Sequence, residues 1–392
     1  MKSTVRIVLL ISTLLVAACG DEDNAEPPAE LTEFNRTHYL ALEWSVSTDD
    51  DIGPQYLYIE PLLLKDRIVT AGRKGILNVY DLEDGDELAE IKLDIALSGG
   101  IGGTEDTWLV GSRNGELIAV SADNNEILWR TAVPSEILAR PVVYNRKTVL
   151  VRTADGQILG VDIKTGKINW NYTRAIPALT LRGSSSPTLS RTHFYTGLES
   201  GRLIAVSPID GEVVWDIALT SPQGRSEIQR LVDIDGKSEL YGRILYAVSY
   251  QGRIAAIDVT RGQFLWTRPF SSNTGVSVGT DAVFSSDDRS HVWALDRSNG
   301  ATLWKQDKLQ ARGITRPVIY QDFVVVGDAL GYLHVMSRFD GRFVARIQVD
   351  SDGILVPPIV DGERLLVLSR DGYLAAYTIK ESTVYTDEEL FD

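Results

Sequence analysis

The chain has 392 residues, 39 basic against 54 acidic side chains, a formal charge of −15 and one cysteine. Its 44% hydrophobic and 24% charged content is that of a folded body, which argues against wholesale disorder and multi-pass membrane insertion. An acidic chain with no basic block repels a phosphate backbone, so no nucleic acid partner is expected. A lone cysteine permits no intramolecular disulfide and no cysteine-rich metal site, and His38, His193, His291 and His334 have no ligand spacing, so neither a metal nor a cofactor is expected.

Residues 1–18 read as a signal peptide. Lys2 and Arg6 precede an apolar run from Ile7 to Ala18, shorter than the ~20 residues a membrane-spanning helix requires. The run ends Val16-Ala17-Ala18-Cys19, which resembles a bacterial lipobox, so Cys19 is the expected acylated N-terminus of the mature chain. Several acyl chains hold a protein on a membrane where a single chain does not. The alternative is an ordinary signal peptide that happens to contain a cysteine. Gly20, where lipoproteins retained in the inner membrane usually carry aspartate, favours the outer membrane. Residues 19–37 are acidic, hold Pro27-Pro28 and lack an apolar period, as expected of a flexible tether.

From residue 60 onward a pattern recurs: a turn ending in glycine, an alternating apolar strand, a second glycine turn, and a strand with tryptophan fourteen residues after the first glycine. Gly115 with Trp129, Gly156 with Trp170, Gly201 with Trp215 and Gly252 with Trp266 are the clearest copies, and Ser290 with Trp304 is a fifth. Gly75, Gly331 and Gly372 begin weaker copies in which Ala89, Ala345 and Thr386 stand at the tryptophan position. A period near forty fits four short strands per unit, each of ~5–6 residues. Prolines at Pro61, Pro141, Pro187, Pro317 and Pro358 open the first strand, where a missing N–H is harmless.

Such units could stack as a solenoid or close as a ring. The stretch Tyr39 to Val46, with Trp44, resembles the last strand of a repeat, whereas the eighth repeat has lost that strand's tryptophan. The reading is an all-β, eight-bladed β-propeller over residues 38–380, its ring closed by the N-terminal strand in the last blade, with an acidic tail at 381–392. Trp44, Trp129, Trp170, Trp215, Trp266 and Trp304 recur at one position, which suits docking between blades better than an aromatic binding surface.

The Gly-x-[Leu/Ile]-x-Ala-[Leu/Val/Ile]-Asp…Gly-x-x-x-Trp repeat resembles that of the pyrroloquinoline-quinone propellers, which include enzymes and scaffolds. Together with the lipobox and eight repeats in under four hundred residues, it resembles the BamB family, lipoprotein subunits of the outer-membrane β-barrel assembly (BAM) machine. Two blade connections exceed the common period, and extra loop length is where a propeller acquires function. One contains Ala178-Leu179-Thr180-Leu181-Arg182-Gly183 and the other Arg230-Leu231-Val232-Asp233-Ile234-Asp235. Both resemble signature loops that, in that family, lie side by side and bind a periplasmic POTRA domain of BamA, the barrel subunit. The resemblance assigns Leu179, Leu181, Arg182, Asp233 and Asp235 to partner binding, with Arg230 and Leu231 as further motif members; Ile234 stands where valine is usual.

Leucines would supply apolar anchors, and the arginine and carboxylates would fix register. Arg182 could instead brace the two loops internally through Asp233 or Asp235. The resemblance further implies a non-enzymatic scaffold on the periplasmic side of the outer membrane, joined through BamA to the other BAM lipoproteins and serving outer-membrane protein precursors; transient addition of their unpaired strands to blade edges is a further hypothesis. A quinoprotein dehydrogenase would need a quinone pocket, a calcium site and an adjacent-cysteine disulfide, for which this chain has no spare cysteine. A GxSxG elbow, a metal-spaced histidine pair and a phosphate loop are also missing, so no catalysis is expected. A lipid-anchored propeller that binds a ligand or glycan is the other alternative.

Overall fold

The computed structural model describes residues 26–48, 51, 57–181 and 185–382. The expected signal segment, Cys19, Arg182 and the residues from 383 on lie outside the described residues. Eight four-stranded antiparallel sheets form the blades of a β-propeller. Blade 1 consists of Leu62–Leu63, Arg67–Ala71, Ile76–Asp81 and Glu87–Lys92, and six further blades follow in chain order. Blade 8 takes Ile359–Asp361, Arg364–Leu368 and Tyr373–Glu381 from the C-terminal end and His38–Ser47 from the N-terminal end, the expected closure. The join is long, running from His38 opposite Glu381 to Ser47 opposite Tyr373.

Burial explains why the strands read differently in sequence. The second and third strands of a blade, such as Thr148–Arg152 and Gln157–Asp162, are covered on both faces by neighbouring blades and are almost continuously buried. The fourth strand, such as Ile168–Thr173, faces solvent along one side and alternates. The core therefore lies between blades: Leu109, Leu117 and Ala119 of blade 2 pack with Val149, Val151 and Leu159 of blade 3.

Every tryptophan of the repeat performs the same docking. Its indole N–H donates to a backbone carbonyl in the last hairpin of the next blade, at 2.8–3.3 Å: Trp44 to Leu82, Trp129 to Ile163, Trp170 to Pro208, Trp215 to Val259, Trp266 to Arg297 and Trp304 to Arg338. Three residues beyond each acceptor is a glycine with φ between 61° and 79°, and a Cβ there would lie 2.5–2.7 Å from the indole. Glycine is thus required twice, for the left-handed turn and for the ring that covers it. A register shift in the fourth strand, as between Gly160 and Val161 opposite Trp170 and Ile168, is a bulge that re-aims the side chain toward its neighbour.

The two missing tryptophans have structural reasons. Ala89 of blade 1 faces a blade 2 hairpin in which Asn125 (φ 61°) takes the glycine position, so no indole could seat there. Ala345 of blade 7 faces blade 8, whose last two strands come from opposite chain ends and share no hairpin.

Residues 26–37 differ from the expected flexible tether. They form no strand, yet they are laid against blades 6 and 7: Ala29 N–H donates to Gln310 O (2.9 Å), Arg312 and Arg346 donate to the carbonyls of Ala29 (2.9 Å) and Thr32 (3.0 Å), and Phe34 packs on Phe343 with ring centroids 5.5 Å apart. Compositional polarity missed this because most of the attachment is through backbone groups. Both arginines are held by a buried pair beneath: Arg312 Nε lies 2.7 Å from Asp328 Oδ2, which His334 Nε2 also reaches at 2.8 Å, while Arg346 Nε donates to His334 Nδ1. Arginine only donates, so the His334 proton sits on Nε2. Burial holds His334 below its usual pKa and keeps it neutral.

Trp44 is the only one of the six whose docking joins the two chain ends to blade 1. Trp44→Ala should cost about 3–5 kcal/mol, as removal of a buried aromatic does, and thermal unfolding followed by circular dichroism should show a lower midpoint. Leu42→Ala, on the exposed side of the same strand, should leave it within about a degree of wild type.

Candidate partner-binding site

Within a blade, the turns between second and third strands and the connections to the next blade share one face of the ring, and the two long connections lie on it. The first joins Ile168–Thr173 of blade 3 to Thr188–Leu189 of blade 4; the second joins Val213–Ala218 of blade 4 to Glu239–Tyr241 of blade 5.

In three blades the connection is pinned by an apolar plug. Gly111, Gly197 and Gly327 end the second strands of blades 2, 4 and 7, and the space of their absent side chains is filled by Ile137, Ile234 and Ile354 from the connection that follows. Ile234 is therefore part of the propeller's repeat, and a β-branched aliphatic residue is what the slot demands. Blade 3 has Arg152 at the glycine position. Its side chain is 1% exposed, pairs with Glu199 at 2.6 Å and reaches Thr196 Oγ1 and Ser185 O at 3.4 and 3.5 Å. With the slot occupied, the first long connection has no plug to insert, and its apolar residues Ile176 and Leu179 remain at the surface, 39% and 41% exposed.

The two connections are tied together. Asp233 Oδ2 accepts the Leu181 backbone N–H at 2.6 Å, Ser185 Oγ donates to Gly236 O at 3.2 Å, and Thr188 Oγ1 donates to Ser238 O at 2.7 Å. The tip of the second connection is braced on itself: Gln229 Oε1 accepts the N–H groups of Arg225 and Ser226, around the short 3₁₀ turn Ile228–Arg230. That leaves Ile228 68% exposed, with Arg230 also exposed.

The expected site therefore divides. Leu179 and Arg230 are exposed and Leu181 is half-buried, but Leu231 and Asp233 are buried, and the carboxylate of Asp235 is enclosed. Leu231 and Asp233 do not present their side chains to a partner. Asp233 is a brace, holding Leu181 from beneath, because its carboxylate points into the body of the ring. Ile176 and Ile228 were not expected. Each is an isolated apolar residue in a loop, and only the absence of a covering strand shows it to be exposed.

Arg152, Glu199, Asp233 and Asp235 place three carboxylates around one guanidinium. Burial raises the Asp233 carboxyl to about 6, against the lowering effect of the Leu181 N–H, and burial with repulsion from Asp233 raises that of Asp235 to about 8. Asp235 is thus held protonated at neutral pH. A carboxyl whose pKa is raised on folding stabilises fully below its unfolded value near 4, and that contribution is lost as pH climbs through the folded value. The wild-type melting temperature should therefore fall from pH 6 to pH 9 relative to Asp235→Asn, which keeps a neutral side chain, with the difference reaching roughly 1–3 °C; scanning calorimetry across that range measures it.

The family model described as "Outer membrane protein assembly factor BamB" matches residues 73–306 and 299–384. The protein of that name from Pseudomonas aeruginosa is 39% identical over 373 residues, covering 95% of this chain and 98% of the relative. The crystal structure of BamB from Moraxella catarrhalis superposes with a TM-score of 0.80 at 29% identity, over 86% of this chain and 99% of that one. A quinohemoprotein alcohol dehydrogenase from Pseudomonas putida HK5 superposes with a TM-score of 0.70 over 87% of this chain and 76% of its own, at 14% identity, which shows a shared fold alone. The chain belongs to the BamB family of outer membrane protein assembly factors.

Proposed function

We propose that the protein is a non-enzymatic scaffold subunit of the BAM complex, anchored by acyl chains on Cys19 to the periplasmic side of the outer membrane. It docks on a POTRA domain of BamA and thereby assists the folding and insertion of outer-membrane proteins. The observation that carries this reading is the pair of over-long connections on one face, tied by the Leu181–Asp233 hydrogen bond, with Leu179 and Ile176 exposed on the first and Ile228 and Arg230 on the second. Exposed aliphatic side chains on braced loops give a partner apolar area without a large ordering cost. Arg230, and Arg182 in the first loop, supply charge that fixes register on the partner.

In this arrangement the side chains divide their work. Leu179 and Ile228 contact the partner, while Asp233 positions the first loop through its backbone. Asparagine keeps an acceptor oxygen for the Leu181 N–H; alanine does not.

A membrane pull-down of the tagged full-length protein tests this. BamA should co-purify with wild type and with Asp233→Asn, and should fall at least about tenfold, 1.4 kcal/mol, with Leu179→Asp, Ile228→Asp or Asp233→Ala, circular dichroism confirming that each variant is folded. Retention of BamA by folded Leu179→Asp and Ile228→Asp variants would place the interface elsewhere, and its absence from the wild-type sample would overturn the scaffold reading. Cys19→Ala should release the protein from the membrane fraction.

A further inference from the structure

The propeller encloses a central cavity of about 1160 Å³. One repeat position, fifteen or sixteen residues before each glycine turn and just ahead of the innermost strand, faces it from six of the eight blades. In blades 1, 3, 5 and 7 this position is Glu60, Arg140, Lys237 and Arg316; in the even blades it is Gly100, Ser186, Gly275 and Pro357. All four charged residues line the cavity. Ring symmetry therefore converts four residues far apart in sequence into a square of alternate blades, with three cations and one carboxylate at one level of the channel.

These groups are within electrostatic reach of one another. Arg316 and burial together hold the Lys237 ammonium below its ordinary pKa, opposed by Glu60, and Glu60 acts in the same sense on Arg140, whose guanidinium burial pushes down. Neither the Arg140 guanidinium nor the Lys237 ammonium has a hydrogen-bond or ion-pair partner among the described residues, and Arg316 donates only to the hydroxyl of Ser277. Around them the small side chains of the even blades leave room. At this level of the channel three cations therefore face one carboxylate, in a protein whose net charge is −15, and a concave wall of protein focuses the field of such a cluster.

The other charged groups of the lining come from other positions: Glu26, which accepts from Gln310 Nε2, Asp287, which accepts from His291 Nδ1 and Trp293 Nε1 at 2.8 Å, Asp288, Arg312, which is paired with Asp328, and Asp235, whose carboxyl is held protonated at neutral pH.

We propose that the central channel is a binding site for a small dianion, a dicarboxylate or a phosphate, held by Arg140, Lys237 and Arg316, with Glu60 selecting against more highly charged anions. Two guanidinium groups suit bidentate contact to either oxyanion. Lys237 ends the second long connection, but occupancy of the channel does not require the scaffold reading.

Isothermal titration calorimetry on the full chain, with succinate and with inorganic phosphate as probes and chloride as a monoanion control at constant ionic strength, tests the proposal. Saturable one-to-one binding of either dianion, with none for chloride, is expected, and the preferred probe distinguishes carboxylate from phosphate as the natural group. Arg140→Gln/Arg316→Gln should weaken binding at least tenfold, and Glu60→Gln should strengthen it severalfold. Lys237→Gln, a change at an exposed side chain that does not threaten folding, should weaken it about fivefold. Failure of both dianions to bind wild type, or binding unaffected by Lys237→Gln, would overturn the proposal.

Discussion

The contact on which this molecule depends is an indole lying over a glycine. A blade of four short strands buries too little by itself, and its covered strands are apolar on both faces, so each blade is stable only against its neighbours. The tryptophan of the fourth strand reaches across that gap, supplying a large apolar ring and one directional hydrogen bond. The glycine beneath it makes the approach possible. The chain shows this dependence internally: where the receiving turn carries Asn125, or where blade 8 offers no hairpin, the tryptophan is replaced by alanine. Ring and recess are one device, retained or lost together.

The same logic of slot and filler explains how a regular ring acquires an irregular face. Isoleucine plugs on glycine hold three connections against their blades. Arg152 breaks the series, drawing in Glu199 and lying close enough to Asp233 and Asp235 to act on both carboxyls. A buried group of unequal charge is a poor source of stability, but here it fixes the geometry from which two loops rise. Leu181 is held by its backbone, leaving side chains of the first loop free to face outward.

Much of this was legible in the sequence. The forty-residue period, the recurrence of Trp129, Trp170, Trp215, Trp266 and Trp304, and the unmatched strand around Trp44 were sufficient to specify eight blades and the manner of closure, because each reports a local pattern repeated in space. The loop motifs located the two irregular connections and, by resemblance, set them side by side; the bond from the Leu181 N–H to Asp233 was not among the expectations. They could not show that Asp233 is buried, since motif spacing carries no information about which way a side chain points. Nor could they show that Arg152 matters, because its role is defined by what the other blades have at that position. The tether was misread for a related reason: the attachment of residues 26–37 runs largely through backbone groups, which leave no trace in composition.

Closure through the N-terminal strand also sets the order of assembly. His38 pairs with Glu381, so the first strand to leave the ribosome is the last that can find its place. Until the C-terminal residues arrive, Trp44 has no sheet from which to dock, and the strand His38–Ser47 has no partner. The loop closed by this pairing spans nearly the whole chain, and contacts of such separation are slow to form. The ring is thus a latch whose two halves are made at opposite ends of synthesis, and its open form exposes strand edges of the kind that chaperones bind and that aggregate when left unguarded.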